Sequence, residues 1–185
     1  MDKTPFQKLV FDRRSVRRFL DKPVPPDLVT ACLEAARLAP SATNVQPWRF
    51  LVIDDPKVKD AFAQAAFSGI YSMTMFASKA PVLILLLSRP DFVAGRVGRQ
   101  IQGVAFHLID LGIAGEHLVL AAQEQGLGTC WIGWFNMRRA RKFFKIPKAY
   151  RPVALLALGY AEPGPPREKK RKSLAEIAWH NSFRG

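Results

Sequence analysis

The sequence predicts an α+β or three-layer α/β sandwich with one long helix at its centre. Three observations point there. Apolar segments of helical and extended period alternate in the order α, α, β, α, β, α, β, α, β. The run Val82 to Leu87 is continuously apolar, as a strand covered on both faces requires. The longest helical pattern, Ile101 to Gln125, keeps its beat through Val104, Leu108, Leu111, Leu118, Val119 and Ala122, while Gly112, Ala114 and Gly115 permit close packing. The 185 residues, 49% of them hydrophobic, suit one domain spanning 1–185 with a sizeable core.

The elements follow in order. Thr4-Pro5-Phe6-Gln7 combines an N-cap, a proline suited to the first helical position and the glutamine of a capping box, and Phe6, Leu9 and Val10 form the stripe behind it. This helix stops near the basic stretch Arg13 to Phe19. A second helix begins after Pro25-Pro26-Asp27, with Leu28, Val29, Cys32, Leu33 and Ala36 on one face, and ends before Pro40. Pro40 to Pro47 is a turn-rich loop. Trp48 to Ile53 reads as a strand, and Asp55-Pro56 opens a helix to about Ala66. Phe67 to Lys79 mixes Gly69, aromatics, Met73 and Met75, and reads as helix and loop. Pro90 to Gln100 reads as loop. Gly126 stops the long helix. Thr129 to Phe135 reads as a strand, Asn136 caps a short basic helix to about Phe144, and Val153 to Tyr160 is the last strand. A proline-rich basic tail, Pro163 to Lys172, precedes a second capping box, Ser173 to Glu176, opening a short final helix.

Composition narrows the function classes. The N-terminus is polar and lacks the pattern of a secretory signal, and the longest strongly apolar run, Pro81 to Leu87, is far short of the roughly 20 residues that span a bilayer, so a soluble cytoplasmic protein without a membrane partner is expected. Cys32 and Cys130 are too few for a disulfide framework and have no partners at metal spacing; they read as small buried hydrophobes. His107, His117 and His180 form no metal pattern. The formal net charge of +13 fits nucleic acid, a small anionic ligand or solvated surface. Its basic residues fall in three separate clusters, Arg13 to Arg18, Arg138 to Lys145 and Arg167 to Lys172, rather than one stripe interleaved with aromatics. A nucleic-acid partner is therefore not expected, and one or two clusters suit a phosphate.

No glycine-rich dinucleotide fingerprint, phosphate-cradling loop or local nucleophile signature is present. Four segments stand out instead. Arg13-Arg14-Ser15-Val16-Arg17 offers guanidinium groups and a hydroxyl to a phosphate or polarised carbonyl, or is a solvated turn. In Pro40-Ser41-Ala42-Thr43-Asn44-Val45-Gln46-Pro47, two prolines stiffen a loop whose Ser41, Asn44 and Gln46 can pair with the edge of a heterocycle, or simply cap a turn. Gly128-Thr129-Cys130-Trp131-Ile132-Gly133 is an apolar strand ending where a backbone N–H can approach a flat ligand, or a buried strand with a bulge. Lys169-Lys170-Arg171-Lys172 is a solvated run, or, lying after a strand and before a capped helix, one held against the body.

In this order and spacing the four segments resemble the nitroreductase family of FMN-dependent oxidoreductases, over nearly the whole chain. The stretch Ala39 to Trp48 carries the most specific part of the resemblance. It implies a nitroreductase-like three-layer sandwich with a central mixed or antiparallel sheet. It implies a homodimer with two FMN sites at the subunit interface, and electron transfer from NAD(P)H to a small organic acceptor such as a nitroaromatic or quinone by a ping-pong mechanism. By the same resemblance, Arg13, Arg14, Ser15 and Arg17 contact the phosphate, ribityl chain and pyrimidine edge of the flavin. Pro40, Ser41, Asn44 and Gln46 line it, and backbone groups at Ile132 and Gly133 lie near its N5. Lys169 and Arg171 hold the phosphate, with Lys170 the alternative to Arg171. No protein nucleophile is implied, because the cofactor carries the redox chemistry. Reductive dehalogenation or flavin breakdown in the same fold, and binding of nucleic acid by a basic surface, are the alternative functions.

Overall fold

The computed structural model describes residues 2–89, 103–165 and 168–183. The expected loop Pro90 to Gln100, the start of the expected long helix at Ile101 and the first residue of the last basic cluster, Arg167, lie outside them.

Four strands form one antiparallel sheet in the order β1-β2-β4-β3: β1 (Trp48–Ile53), β2 (Val82–Ser88), β3 (Gly128–Ile132) and β4 (Arg151–Gly159). Every residue of β2 is buried. Its alternate side chains enter two cores. Leu83, Leu85 and Leu87 join Phe62, Phe67, Leu155 and Phe135 on one face; Val82, Ile84 and Leu86 join Cys32, Leu111, Leu118 and Leu156 on the other. Each fully buried leucine or isoleucine contributes about 1.5–3 kcal/mol by leaving water. The sheet is thus the middle layer between helices α1 (Pro5–Asp12), α2 (Pro26–Arg37) and α4 (Phe106–Glu124) on one side and α3 (Pro56–Ala66) and α5 (Met137–Phe143) on the other. This is the three-layer α+β sandwich that the sequence predicts.

Local chemistry sets the element ends. Thr4 Oγ1 accepts from Gln7 N at 3.2 Å while Thr4 N donates to Gln7 Oε1 at 2.9 Å, completing the expected capping box. Asp55 and Asn136 cap α3 and α5 by accepting from Val58 N and Arg139 N. Gly126, at φ +74°, ends α4, and Leu127 N donates back to Ala122 O at 2.8 Å.

Four expected boundaries move. Helix α4 begins at Phe106, so Val104 lies before it, and Leu108 is exposed rather than part of the buried face. The mixed segment after Phe67 is a 3-10 helix, Gly69–Lys79, tied to the chain after β3 by Thr74 Oγ1 donating to Trp134 O. Strand β3 stops at Ile132, because Gly133 and Trp134 turn away from β4. The final capping box closes a single 3-10 turn, Leu174–Glu176, with every residue exposed and no core to prolong it.

Helix α4 packs against β3 through Gly115, where a Cβ would sit 2.2 Å from the Trp131 ring. Replacing Gly115 by Val forces the ring aside, and overpacking of this kind costs about 1–3 kcal/mol. Thermal unfolding followed by circular dichroism should show Gly115→Val melting several degrees below the parent; an unchanged Tm refutes the tight contact.

Candidate functional site

Beyond α1 the chain runs extended across the ends of two strands. Val16 N donates to Thr129 O at 2.8 Å, Leu20 N to Tyr160 O at 2.9 Å, and Glu162 N to Arg18 O at 3.1 Å. The Val16 side chain occupies the space a Cβ on Gly128 would need. This seam fixes the basic segment against β3. Arg13 and Arg14 are half-buried, with Arg13 Nε 3.5 Å from a carboxylate oxygen of Glu116 on α4. Ser15 and Arg17 are exposed, and Arg17 lies 6.0 Å from the Phe76 ring centroid. Arg14, Ser15 and Arg17 line a cleft of about 520 Å³ with Phe76 and the chain leaving β4.

The C-terminal basic run returns to this place. Lys169 Nζ donates to Val10 O at 3.0 Å at the end of α1. Partial burial lowers the Lys169 pKa from its ordinary value, the charges of Arg13, Arg171 and Arg14 lower it further, and Asp12 opposes them. Four cations thus share one neighbourhood, a potential suited to an anion. Lys170 is exposed, and its carbonyl accepts from Arg171 at 2.8 Å.

The loop after α2 is built separately. Thr43, Asn44 and Gln46 all have positive φ, at 50°, 57° and 49°. Non-glycine residues pay for left-handed backbone, roughly 1–2 kcal/mol each, so the loop needs anchors. Ser41 Oγ accepts from Gln46 N at 3.0 Å, and Asp110 Oδ1 of α4 accepts from Ala42 N at 3.1 Å. Gln46 Nε2 donates to Asn44 Oδ1 at 3.0 Å. Pro40 is exposed at the loop's start.

Asp110 is only 5% exposed, and neither it nor Glu116 stands out in a reading of spaced motifs. The available signal was an acid set among Leu108, Ile109, Leu111 and Ile113 on an apolar helix. Asp110 and Glu116 are six residues apart, which places them about 9 Å apart along α4 and about 120° apart around it. Within one chain the loop and the basic segment therefore approach different faces of that helix.

Ile132 is the buried last residue of β3, and Gly133 after it is exposed, with nothing within 4 Å of the position a Cβ would take. Gly133 also lines a second, larger cavity with Ser68, Tyr71 and Trp134. Both thiols are buried: burial pushes Cys32 up to about 11, and burial raises Cys130 against an opposing effect of Arg17. Neither is a ready nucleophile at neutral pH. Among the described residues no helix is long and apolar enough to cross a membrane.

Comparison with known proteins agrees with this fold. The sequence model of the Nitroreductase family matches residues 10–72 and 75–160. An NADH dehydrogenase of Thermus thermophilus is 32% identical over 184 residues, covering 85% of this chain and 87% of that protein. A crystal structure described as an oxidoreductase containing FMN superposes with a TM-score of 0.82 at 26% identity, over 100% of this chain and 96% of the other. An FMN-dependent nitroreductase of Clostridium difficile R20291 gives a TM-score of 0.73 at 26% identity, over 95% and 98% of the two chains.

The cation cluster makes a prediction independent of any cofactor. Inorganic phosphate at about ten times its dissociation constant should stabilise the fold by about 1.4 kcal/mol. In Lys169→Ala and Arg14→Ala the accompanying rise in Tm should shrink by more than half. A phosphate effect equal in the parent and both variants would remove the cluster as the anion site.

Proposed function

Because this chain belongs to the nitroreductase family, we propose that its 185 residues form one FMN-binding domain of a homodimeric NAD(P)H-dependent oxidoreductase. Bound FMN supplies the redox chemistry, accepting a hydride from the nicotinamide and passing electrons to a small organic acceptor such as a nitroaromatic or quinone. The chain's own residues bind, orient and shield.

The residues present fit that group. The observation that carries the proposal is the convergence of Arg13, Arg14, Lys169 and Arg171, with Asp12 and Glu116 as the nearby acids. A terminal phosphate answers such a surplus with charge-assisted hydrogen bonds, and Arg171 rather than Lys170 is assigned to it with Lys169. Ser15 and Arg17, in the adjoining cleft, suit the ribityl chain and the pyrimidine edge. Arginine there stabilises negative charge on the ring's pyrimidine side. The open backbone at Gly133, with Ile132 before it, allows a flat ring to approach an N–H without meeting a side chain.

Pro40, Ser41, Asn44 and Gln46 are assigned to the same flavin, but from the other subunit. Two features support this. The loop and the basic segment approach different faces of α4 in one chain, so a second copy is needed to bring them together. The chain also leaves apolar surface uncovered: Phe6, Val10 and Phe11 on α1, and Phe106, Leu108 and Ile109 at the start of α4, are exposed. A helix apolar on all sides belongs in an interior, and an interface between copies supplies one. The donor leaves before the acceptor enters, in ping-pong order, which accounts for the absence of a separate dinucleotide fingerprint.

Purified protein should show flavin absorption bands or gain them on titration with FMN, and should oxidise NADH or NADPH with parallel-line initial-rate patterns against the acceptor. Arg13→Ala or Asn44→Ala should each weaken FMN binding by about 10–100-fold, the loss of one or two hydrogen bonds to a charged or polar ring system. Co-assembling the two variants should recover part of the tight binding, because in a mixed dimer one seam retains both residues. Absence of flavin uptake rejects the function. Failure of the mixture to recover any binding rejects the two-chain site.

A further inference from the structure

The basic helix α5 has no part in the proposed flavin site, yet it borders a large cavity. This space, about 920 Å³, lies between the start of the 3-10 segment and the chain from Gly133 through Arg139. That size is at the upper end for small-molecule sites, which run to about 1,000 Å³. Its walls are tied together across the sequence. Trp134 Nε1 donates to Ile70 O at 2.9 Å, Thr74 Oγ1 donates to Trp134 O at 2.7 Å, and Asn136 N donates to Ala66 O at 2.9 Å. Tyr71 and Trp134 lie with ring centroids 5.3 Å apart and their planes tilted by 49°, an angled rather than a flat aromatic shelf.

Arg138 and Arg139 stand at the same cavity. Both are exposed, and neither pairs with a carboxylate among the described residues. Among the described residues, Arg139 donates only to the neutral hydroxyl of Ser68. The angled aromatic pair beside two guanidiniums that have no carboxylate partner among the described residues, continuous with Gly133, suits a purine nucleotide: a flat base to stack and a phosphate to fork.

We propose that Arg138 and Arg139 bind a phosphate of the nicotinamide dinucleotide donor, with the Tyr71–Trp134 shelf receiving its adenosine half. This rests on the proposed flavin site, since the cavity serves the donor only if the nicotinamide stacks near Gly133. The phosphate is either the 2′-phosphate, found in NADPH alone, or the pyrophosphate, found in both donors.

The test is titration of the full-length protein, with and without FMN, with adenosine 2′,5′-bisphosphate and with ADP, followed by calorimetry. In the Arg138→Ala/Arg139→Ala double variant the affinity for the adenosine probe should fall about tenfold or more, as expected for losing charge-assisted hydrogen bonds. The donor KM should rise by a similar factor and the acceptor KM should not. An effect confined to the bisphosphate and NADPH assigns the 2′-phosphate; an effect on both probes and both donors assigns the pyrophosphate. Arg138→Ala alone breaks no bond within the described residues, so a fall in its affinity cannot reflect lost structure. Lys142→Gln, on the same helix but away from the cavity, should leave probe binding unchanged.

Probe binding that ignores the arginine pair, an effect seen only in the acceptor KM, or an equal loss in Lys142→Gln overturns the proposal. Protein that takes up FMN but whose probe affinity ignores the pair fails this inference alone. Protein that takes up no FMN fails the proposed function, whatever the probes do.

Discussion

The backbone seam between Val16 and Thr129 governs where everything else in the site can stand. One hydrogen bond of 2.8 Å and the Val16 side chain lying over Gly128 fix the extended segment along the edge strand β3. The seam holds because β3 is short, lies at the sheet's edge and leaves its outer backbone groups free to pair. From that line the chain leads in one direction to Arg13 and the end of α1, and β3 leads in the other to Gly133. The basic residues at the end of α1 and the exposed backbone at Gly133 thereby stand at opposite ends of one paired stretch of chain. The glycine at position 128 is a steric requirement: a Cβ there would meet Val16 Cγ2 at 2.5 Å and push the segment off the strand.

Much of this was legible in the sequence, and the legible parts share a cause. Capping boxes, proline positions and the glycine after α4 are local chemistry, decided within four or five residues. The apolar run of β2 was also read correctly as a covered central strand, although its neighbours are antiparallel on both sides. Such a run reports that both faces are covered, not the direction of the partners. What escaped was decided by tertiary contact. Nothing local distinguishes the 3-10 winding of Gly69–Lys79, which follows from ties such as Thr74 Oγ1 to Trp134 O, sixty residues away. The anchoring roles of Asp110 and Glu116 depend on which segments α4 meets. The four signature segments were visible as residue types; that loop 40–46 and the basic segment meet different faces of one helix was not.

The charge of +13 divides physically rather than by sequence cluster. The first and last clusters are one object in space, since Lys169 lies beside Arg13 and Arg14 and donates to Val10 O despite some 150 intervening residues. The start of the middle cluster, Arg138 and Arg139, is a second object, lining another cavity with the tilted Tyr71–Trp134 pair. Both cavities share the 3-10 segment as a wall, Phe76 on one side and Tyr71 on the other. Two separate positive sites against one wall are what a phosphate-bearing cofactor and a phosphate-bearing donor require if they are to lie together without sharing a phosphate pocket. A single basic stripe would serve nucleic acid instead.

The strained loop completes this logic. Thr43, a β-branched residue, would not adopt a φ of 50° without compulsion, and Asn44 and Gln46 share the strain. Asp110 and Ser41 supply the compulsion through backbone N–H groups. The side chains then settle one another: Gln46 Nε2 donates to Asn44 Oδ1, leaving Gln46 Oε1 as an acceptor and Asn44 Nδ2 as a donor with no partner among the described residues. A donor and an acceptor held side by side on stiff backbone form the complement of a heterocycle edge that alternates the two. The cost of the left-handed backbone is thus met during folding, before any ligand arrives, and binding need not order the loop again. This is why a loop so polar and exposed is anchored to the most buried carboxylate of the central helix rather than left to find its shape when a ligand arrives.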